Sequence, residues 1–345
     1  MKLAWIAFSD KGEKLGRSLA LRLGGSVTRG GREEALKDWT KARFASEDGL
    51  VFIGACGIAV RAVAPYLAGK AADPAVVVLD ETGRFCISLL SGHLGGANEL
   101  AERIAAACGA IPVVTTATDR NGVFAVDLWA RMQGCVIPEP GRIKTVSSKL
   151  LAGEPICILS DWEIRGDPPL RVQYRLKREN ELSAGPDEET GQDPDVRLTL
   201  RRAASRALQV VPRILVLGVG CRRGTSSEAL DRFFDRFLER GGYVPEAVCR
   251  ICSIDRKADE EGLLSFCREK GLSLTTYTGE DLAAVKGTFT SSSFVKRTVG
   301  VDNVCERSAI LGSGGRLLLH KTAGDGITMA LAMMPFSPDW RWTYE

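Results

Sequence analysis

Phe85–Glu99 reads FCISLLSGHLGGANE. Phe85–Leu90 has the length and apolar content of a strand, and Ala97-Asn98-Glu99 opens a helix. Between them, Ser91-Gly92-His93-Leu94-Gly95-Gly96 is a turn with three glycines in five residues. Such a turn accepts positive φ and lets a ligand approach the main chain. The unpaired N–H groups at the start of the helix favour an anion. One of the two histidines in the chain, His93, sits inside it. From this stretch alone, a solvated structural turn and a ligand site are both open.

The same strand–glycine–helix unit recurs on either side. Leu3–Phe8 reads as a strand, Ser9–Gly12 as a turn and Glu13–Leu23 as a helix stopped by Gly24-Gly25. A helix over 32–45 leads to the strand Leu50–Ile53, which empties through Gly54-Ala55-Cys56-Gly57 into a second apolar helix carrying Arg61. Ala75–Leu79, Phe85–Leu90 and Ile111–Thr115 continue as strands; Ala97–Cys108 and Asn121–Met132 continue as helices. Short apolar runs alternating with amphipathic helices predict a sheet covered on both faces, with ligands at the strand C-terminal ends. On that basis the Gly54 and Ser91 turns are expected to line one crevice.

From Cys135 the pattern loosens. A short helix over 142–151 carries Lys144 and Lys149, Ile156–Ser160 is a strand, and the acidic run around 187–195 reads as a solvated loop. Order returns with the strand Arg213–Leu217, a glycine turn Gly218-Val219-Gly220-Cys221-Arg222-Arg223-Gly224-Thr225, and a helix over 229–240. The fold expected is therefore α/β: two α/β domains with sheets flanked by helices, joined by a small middle module. The expected divisions are 1–134, 135–207, 208–335 and an aromatic tail, 336–345, holding Trp340, Trp342 and Tyr344 and docking on the body.

Composition narrows the function. A net charge of +3 with no basic run interleaved with aromatics gives no support for nucleic acid as a partner. No apolar run approaches the roughly 20 residues that span a bilayer, and the N-terminal apolar run is too short for a secretory signal. Ten scattered cysteines suit a reducing cytosol. With Cys249/Cys252 as the lone CxxC pair and only two histidines, no protein-held metal is expected.

Gly218–Thr225 reads as an anion cradle, with two arginines at a helix start. It lacks the Lys-Ser/Thr of a P-loop. As GxGxxxG it approximates a dinucleotide turn, with Asp255 at the next strand end placed for a ribose, so an oxidoreductase stays open. The bland alternative is a structural turn whose arginines pair with Asp255, Asp259 or Glu260.

Six stretches taken together resemble a known family: GACGIAVRAVAPYL (54–67), SGHLGGANELA (91–101), LQVVPRILVLGVGCRRGT (208–225), IDRKADEEGL (254–263), VGVDNVCE (299–306) and LLLHKTAGDGITMALA (317–332). They are similar to the cobalt-precorrin-5A hydrolases, the CbiG proteins, along nearly the whole chain. Arg307-Ser308 departs from the Pro-Ala expected after VCE, and 165–206 matches no pattern.

The resemblance implies hydrolysis in anaerobic cobalamin biosynthesis. Water opens the δ-lactone of a cobalt-tetrapyrrole, and the meso carbon with its methyl leaves as acetaldehyde. No separate cofactor is implied, because the substrate carries the cobalt. A cytoplasmic location and transient hand-over to neighbouring enzymes are also expected. His93 and Glu99 are the implied catalytic pair, with Glu99 orienting His93 or acting in its place and the Gly95 and Gly96 N–H groups serving an oxyanion. The implied substrate-binding residues are Gly54, Gly57, Arg61, Ser91, Gly95, Gly96, Asn98, Gly220, Arg222, Arg223, Thr225 and Lys321. A non-catalytic corrinoid carrier would share the cradle but leave His93 dispensable.

Overall fold

The computed structural model describes all residues except 70–71, 117–121, 178–192, 203–205, 292–299 and 344–345. The fold is mixed α/β, with three sheets among the described residues. The chain forms two compact units. One takes Met1–Arg131, Pro140–Glu154 and Arg341–Glu345; the other takes Met132–Glu139 and Pro155–Trp340.

The first unit is built on six strands: β1 (Leu3–Ala7), β2 (Ser26–Arg29), β3 (Gly49–Ile53), β4 (Ala75–Leu79), β5 (Phe85–Leu90) and β6 (Ile111–Val113), in the order β2-β1-β3-β4-β5-β6. β1, β3 and β4 are buried at every position, which is why they read as unbroken apolar runs. Helix α1 (Asp10–Leu23) begins earlier than the sequence suggests, because Ser9 Oγ accepts the Gly12 N–H at 3.0 Å and caps it. Helices α2 (Leu36–Ser46) and α3 (Cys56–Val63) follow. α4 (Ala97–Cys108) buries Ala97, Leu100, Ala101, Ile104 and Ala105 at helical spacing and stops at Gly109 in the left-handed region. α5 (Val126–Met132) starts later than expected; α6 (Ile143–Leu151) also belongs to this unit.

One expectation fails here. β5 runs antiparallel to β4, with Val76 opposite Leu90 and Leu79 opposite Cys86. Ser91 therefore follows the edge where β4 begins, whereas Gly54, whose N–H donates to Leu79 O at 2.9 Å, sits where β4 ends. At ~3.3 Å per residue the two glycine turns are separated by about 16 Å along the strand direction. They do not line one crevice.

In the second unit, β7 (Cys135–Val136), β8 (Ile156–Ser160), β9 (Val172–Leu176), β10 (Val196–Leu198) and β11 (Leu208–Pro212) form a sheet ordered β7-β11-β10-β8-β9. A third sheet, β14-β13-β12-β16-β15, takes β12 (Leu215–Cys221), β13 (Val248–Ile254), β14 (Ser273–Tyr277), β15 (Arg316–Gly324) and β16 (Ile327–Met333). One core joins Leu200 and Val211 of the middle region to Leu217, Phe234, Phe266 and Leu331. Helices α7 (Ser227–Gly241), α8 (Glu261–Lys270), α9 (Gly279–Ala284) and α10 (Cys305–Ser313) complete the unit.

The aromatic tail docks as expected. Phe336 meets Trp162 edge-on at 5.2 Å and Trp340 meets Tyr174 at 5.7 Å, both within the second unit. Trp342 meets Phe124 at 5.8 Å within the first. Tyr344 and the acidic run 187–192 lie outside the described residues.

Candidate active site

The turn after β5 gathers its groups at the C-terminal ends of β5 and β6. Ser91 is a non-glycine residue at φ 58 and is buried, and its Oγ has no hydrogen-bond partner among the described residues. Strained backbone positions cluster at functional sites, and a buried hydroxyl left unpaired calls for an explanation. Two residues on, His93 places Nδ1 3.0 Å from Asp127 Oδ2, with both side chains nearly buried at 11% and 13% exposure. Asp127 rides on α5, so helix packing sets the ring's orientation.

Arg131, one turn further along α5, fixes the turn itself. Its Nη1 donates to His93 O at 3.1 Å and its Nη2 to Glu99 Oε2 at 2.9 Å. Gly96 is in the left-handed region at φ 82, and a Cβ there would lie 2.6 Å from the Arg131 guanidinium. A glycine is required on both counts. Gly95 is equally tight against Ser91, whose Cβ is 2.4 Å from where its own would be. These glycines let the turn close on itself.

Three sequence expectations change as a result. The carboxylate on His93 is Asp127, not Glu99, which pairs instead with Arg131 and, at 3.9 Å, with Arg103. The Gly96 N–H already donates to His93 O at 3.0 Å, so it is not an oxyanion donor; the Gly95 N–H has no partner among the described residues. Asn98 is a brace: its Oδ1 accepts from Ser88 Oγ at 2.6 Å and its Nδ2 donates to Thr116 Oγ1 at 3.1 Å.

Asp127 and Arg131 were missed by sequence reasoning. An acid at a buried position among Val126, Leu128 and Trp129 was the available signal, since an aspartate is seldom buried without a partner. Gly54, Gly57 and Arg61 stay together past the C-terminal end of β3, at the opposite end of the strands from the Ser91 turn, with the Arg61 guanidinium folded over Gly57.

In the second unit the predicted glycine turn is largely strand. Gly218 and Gly220 are inside β12, paired with Ala330 and Thr328. A Cβ on Gly218 would lie 1.8 Å from Cys305 O, so α10 crosses the strand at contact distance. No turn forms there to cradle a dinucleotide, which removes the basis for an oxidoreductase. The loop proper is Arg222–Ser226. Arg222 N donates to Gly326 O at 3.0 Å, and Thr225 Oγ1 to Arg222 O at 2.7 Å. Arg223 pairs with Asp259 at 2.7 Å in the open, and Gly224 N donates to Glu260 Oε1 at 2.7 Å. Burial alone would raise the Glu260 pKa, but Lys257 Nζ at 2.7 Å and the Gly224 N–H outweigh it and hold the carboxyl below its ordinary value. Arg223 is thus a partner of Asp259, as the bland reading supposed.

At the start of α10, Glu306 is fully buried. Its Oε1 accepts from Thr290 Oγ1 (2.9 Å) and Lys321 N (2.7 Å), and His320 Nδ1 lies 3.3 Å away; its Oε2 accepts from Thr290 N (2.7 Å) and Asn303 Nδ2 (2.8 Å). Burial would raise its pKa, but these donors lower it below the ordinary 4.5. A depressed carboxylate stabilises the fold above the unfolded-chain pKa and loses that contribution as pH falls through the folded value. The stability difference between wild type and Glu306→Gln is expected to shrink on acidification below about pH 4.5, as urea melts at stepped pH would measure. Its neighbour Cys305 is pushed up to about 12 by burial, so it is a neutral thiol and not a nucleophile.

Family models match in three consecutive pieces: Cobalamin synthesis G N-terminal over residues 38–119, Cobalamin biosynthesis central region over 124–212, and Cobalamin synthesis G C-terminus over 215–332. A protein of Salmonella typhimurium named cobalt-precorrin-5A hydrolase is 36% identical over 84% of this chain and 83% of its own. Another of that name from Priestia megaterium is 32% identical over 85% and 80%. A solved structure of a cobalamin biosynthesis protein G homolog from Sulfolobus solfataricus aligns over 97% of both chains at 21% identity and a TM-score of 0.41. With three matching family models in series and relatives above 30% identity over more than two thirds of both chains, the chain belongs to the CbiG family of cobalamin-biosynthesis proteins.

Proposed function

We propose that this protein hydrolyses cobalt-precorrin-5A, opening its δ-lactone and releasing acetaldehyde to give cobalt-precorrin-5B. The relatives supply the substrate. The structural observation that carries the mechanism is the imidazole of His93 seated on Asp127.

Asp127 holds Nδ1 protonated, which leaves Nε2 as the base. Nε2 takes a proton from water as the water oxygen attacks the lactone carbonyl. The tetrahedral oxyanion is met by the Gly95 N–H. Its collapse breaks the acyl C–O bond, leaving a carboxylic acid, which loses its proton to solvent, and an alkoxide on the meso carbon. The alkoxide closes to the carbonyl of acetaldehyde as its bond to the macrocycle breaks. The electron pair stays with the ring, which takes up a proton. Arg131 positions the turn and Glu99 positions Arg131.

Within the second unit, Arg222 and Lys321 are cations of the kind that bind carboxylates. Gly54, Gly57 and Arg61 are assigned no part in lactone opening, because they lie at the opposite end of the strands from His93. The cobalt enters with the substrate. Ten unpaired thiols fit a reducing cytosol, where the product passes to the next enzyme.

Anaerobic incubation with cobalt-precorrin-5A, with trapping of acetaldehyde, tests the reading. Acetaldehyde above the no-enzyme rate is expected. Binding seen in the corrinoid spectrum with no acetaldehyde would make the protein a carrier instead.

A further inference from the structure

We propose that Arg103 receives a rim carboxylate of the substrate and so sets specificity at the His93 turn, an assignment that rests on the hydrolase reading above. A precorrin is a tetrapyrrole edged with acetate and propionate carboxylates. Seating its lactone beside His93 therefore brings other carboxylates against the same part of the first unit. The start of α4 offers them little. Its Ala97 and Asn98 N–H groups already donate to Ser91 O at 3.0 Å and Gly92 O at 3.1 Å, so the turn has used donors that an anion would otherwise take.

The cations come from side chains. Glu99 lies between two arginines, with Oε2 accepting from Arg131 Nη2 at 2.9 Å and Oε1 lying 3.9 Å from Arg103 Nη1. The two are not equivalent. Arg131 is committed on both sides, to Glu99 and to His93 O. The Arg103 contact is longer than a hydrogen bond, and Arg103 donates no hydrogen bond among the described residues. Its planar fork of N–H groups is whole. Two arginines against one glutamate leave one positive charge in excess, and it falls on the arginine held more loosely. Exposure rises in the same direction, from 11% for the His93 side chain through 31% for Arg131 to 44% for Arg103. Arg103 stands four residues beyond Glu99, about 6 Å further along α4 at ~1.5 Å per residue. The base is thus deep and the free guanidinium outside it, as a substrate with a reacting lactone and a hydrated, charged rim requires. Taking a carboxylate there breaks no hydrogen bond, and a guanidinium can hold it by two parallel ones.

Affinity read from the corrinoid spectrum and turnover read as acetaldehyde test this, for cobalt-precorrin-5A and for its rim methyl esters with the lactone intact. Wild-type protein is expected to prefer the free acid. Arg103→Gln should raise Kd and KM for the free acid about tenfold or more and shrink its preference over the esters by a like factor. Its kcat should be unchanged, because Arg103 meets the rim and not the reacting carbonyl. Arg103→Lys keeps the charge without the fork and should fall between the two, a partial recovery that a merely misfolded variant would not show. An Arg103→Gln protein with unchanged Kd, or with its full preference for the free acid, overturns the assignment. Acetaldehyde release with affinity untouched by Arg103→Gln removes the role of Arg103 and leaves the hydrolase standing. Affinity lost in Arg103→Gln with no acetaldehyde from the wild type does the reverse.

Discussion

Replacing His93 by glutamine is expected to lower kcat for acetaldehyde release by roughly 10²–10⁴-fold, the usual contribution of a positioned general base. Glutamine preserves the volume of the ring and a donor towards Asp127 but cannot take up a proton. Substrate affinity, read from the corrinoid spectrum, should change little, so the loss falls on kcat and not on KM. Asp127→Asn should follow the same course, because an amide facing Nδ1 no longer enforces the tautomer that leaves Nε2 basic. Since the two residues act as a unit, the double variant should be little worse than the poorer single one. Equal and additive losses would mean that Asp127 matters for something other than His93. Glu99→Gln should cost less than either, since Glu99 reaches the histidine only through Arg131.

Gly218→Ala is expected to have the largest effect on stability. The position is in the central part of β12, and the added methyl would lie 1.8 Å from the Cys305 carbonyl oxygen, with Ala309 Cβ at 3.0 Å on the same side. The obstruction is a backbone atom of α10, so no side-chain rotation relieves it. Either the helix lifts off the sheet or the strand moves, and both break a close-packed contact. A loss of about 3 kcal/mol or more in the second unit follows, lowering its Tm by roughly 6–12 °C. Thermal melts of the two proteins measure this directly. A Tm within about 2 °C of wild type would show that α10 does not sit on β12 as described.

Element types were legible because they are local. Phe85–Leu90 and Ala97–Cys108 fall where their apolar spacing puts them. Strand direction was less so, although a signal was there: only Asp80–Arg84 separates β4 from β5, and a parallel return needs a dozen or more residues. The Asp80 carboxylate accepts the N–H groups of Thr82, Arg84 and Phe85 and closes that connection as a tight turn. Gly218 and Gly220 were read as a turn because glycine usually marks one. Here it marks the approach of α10 at Gly218 and of Thr328 at Gly220, which only the tertiary structure shows. His93 was visible as the histidine of a glycine turn. Its partner was not, because Asp127 lies 34 residues on, in another helix.

The most direct test of His93 as the base is single-turnover acetaldehyde release from cobalt-precorrin-5A by His93→Ala, with and without added imidazole. The expected result is a rate near that of the uncatalysed reaction, partly restored by imidazole as the fraction of neutral imidazole rises with pH. A His93→Ala rate equal to that of the wild type would contradict it.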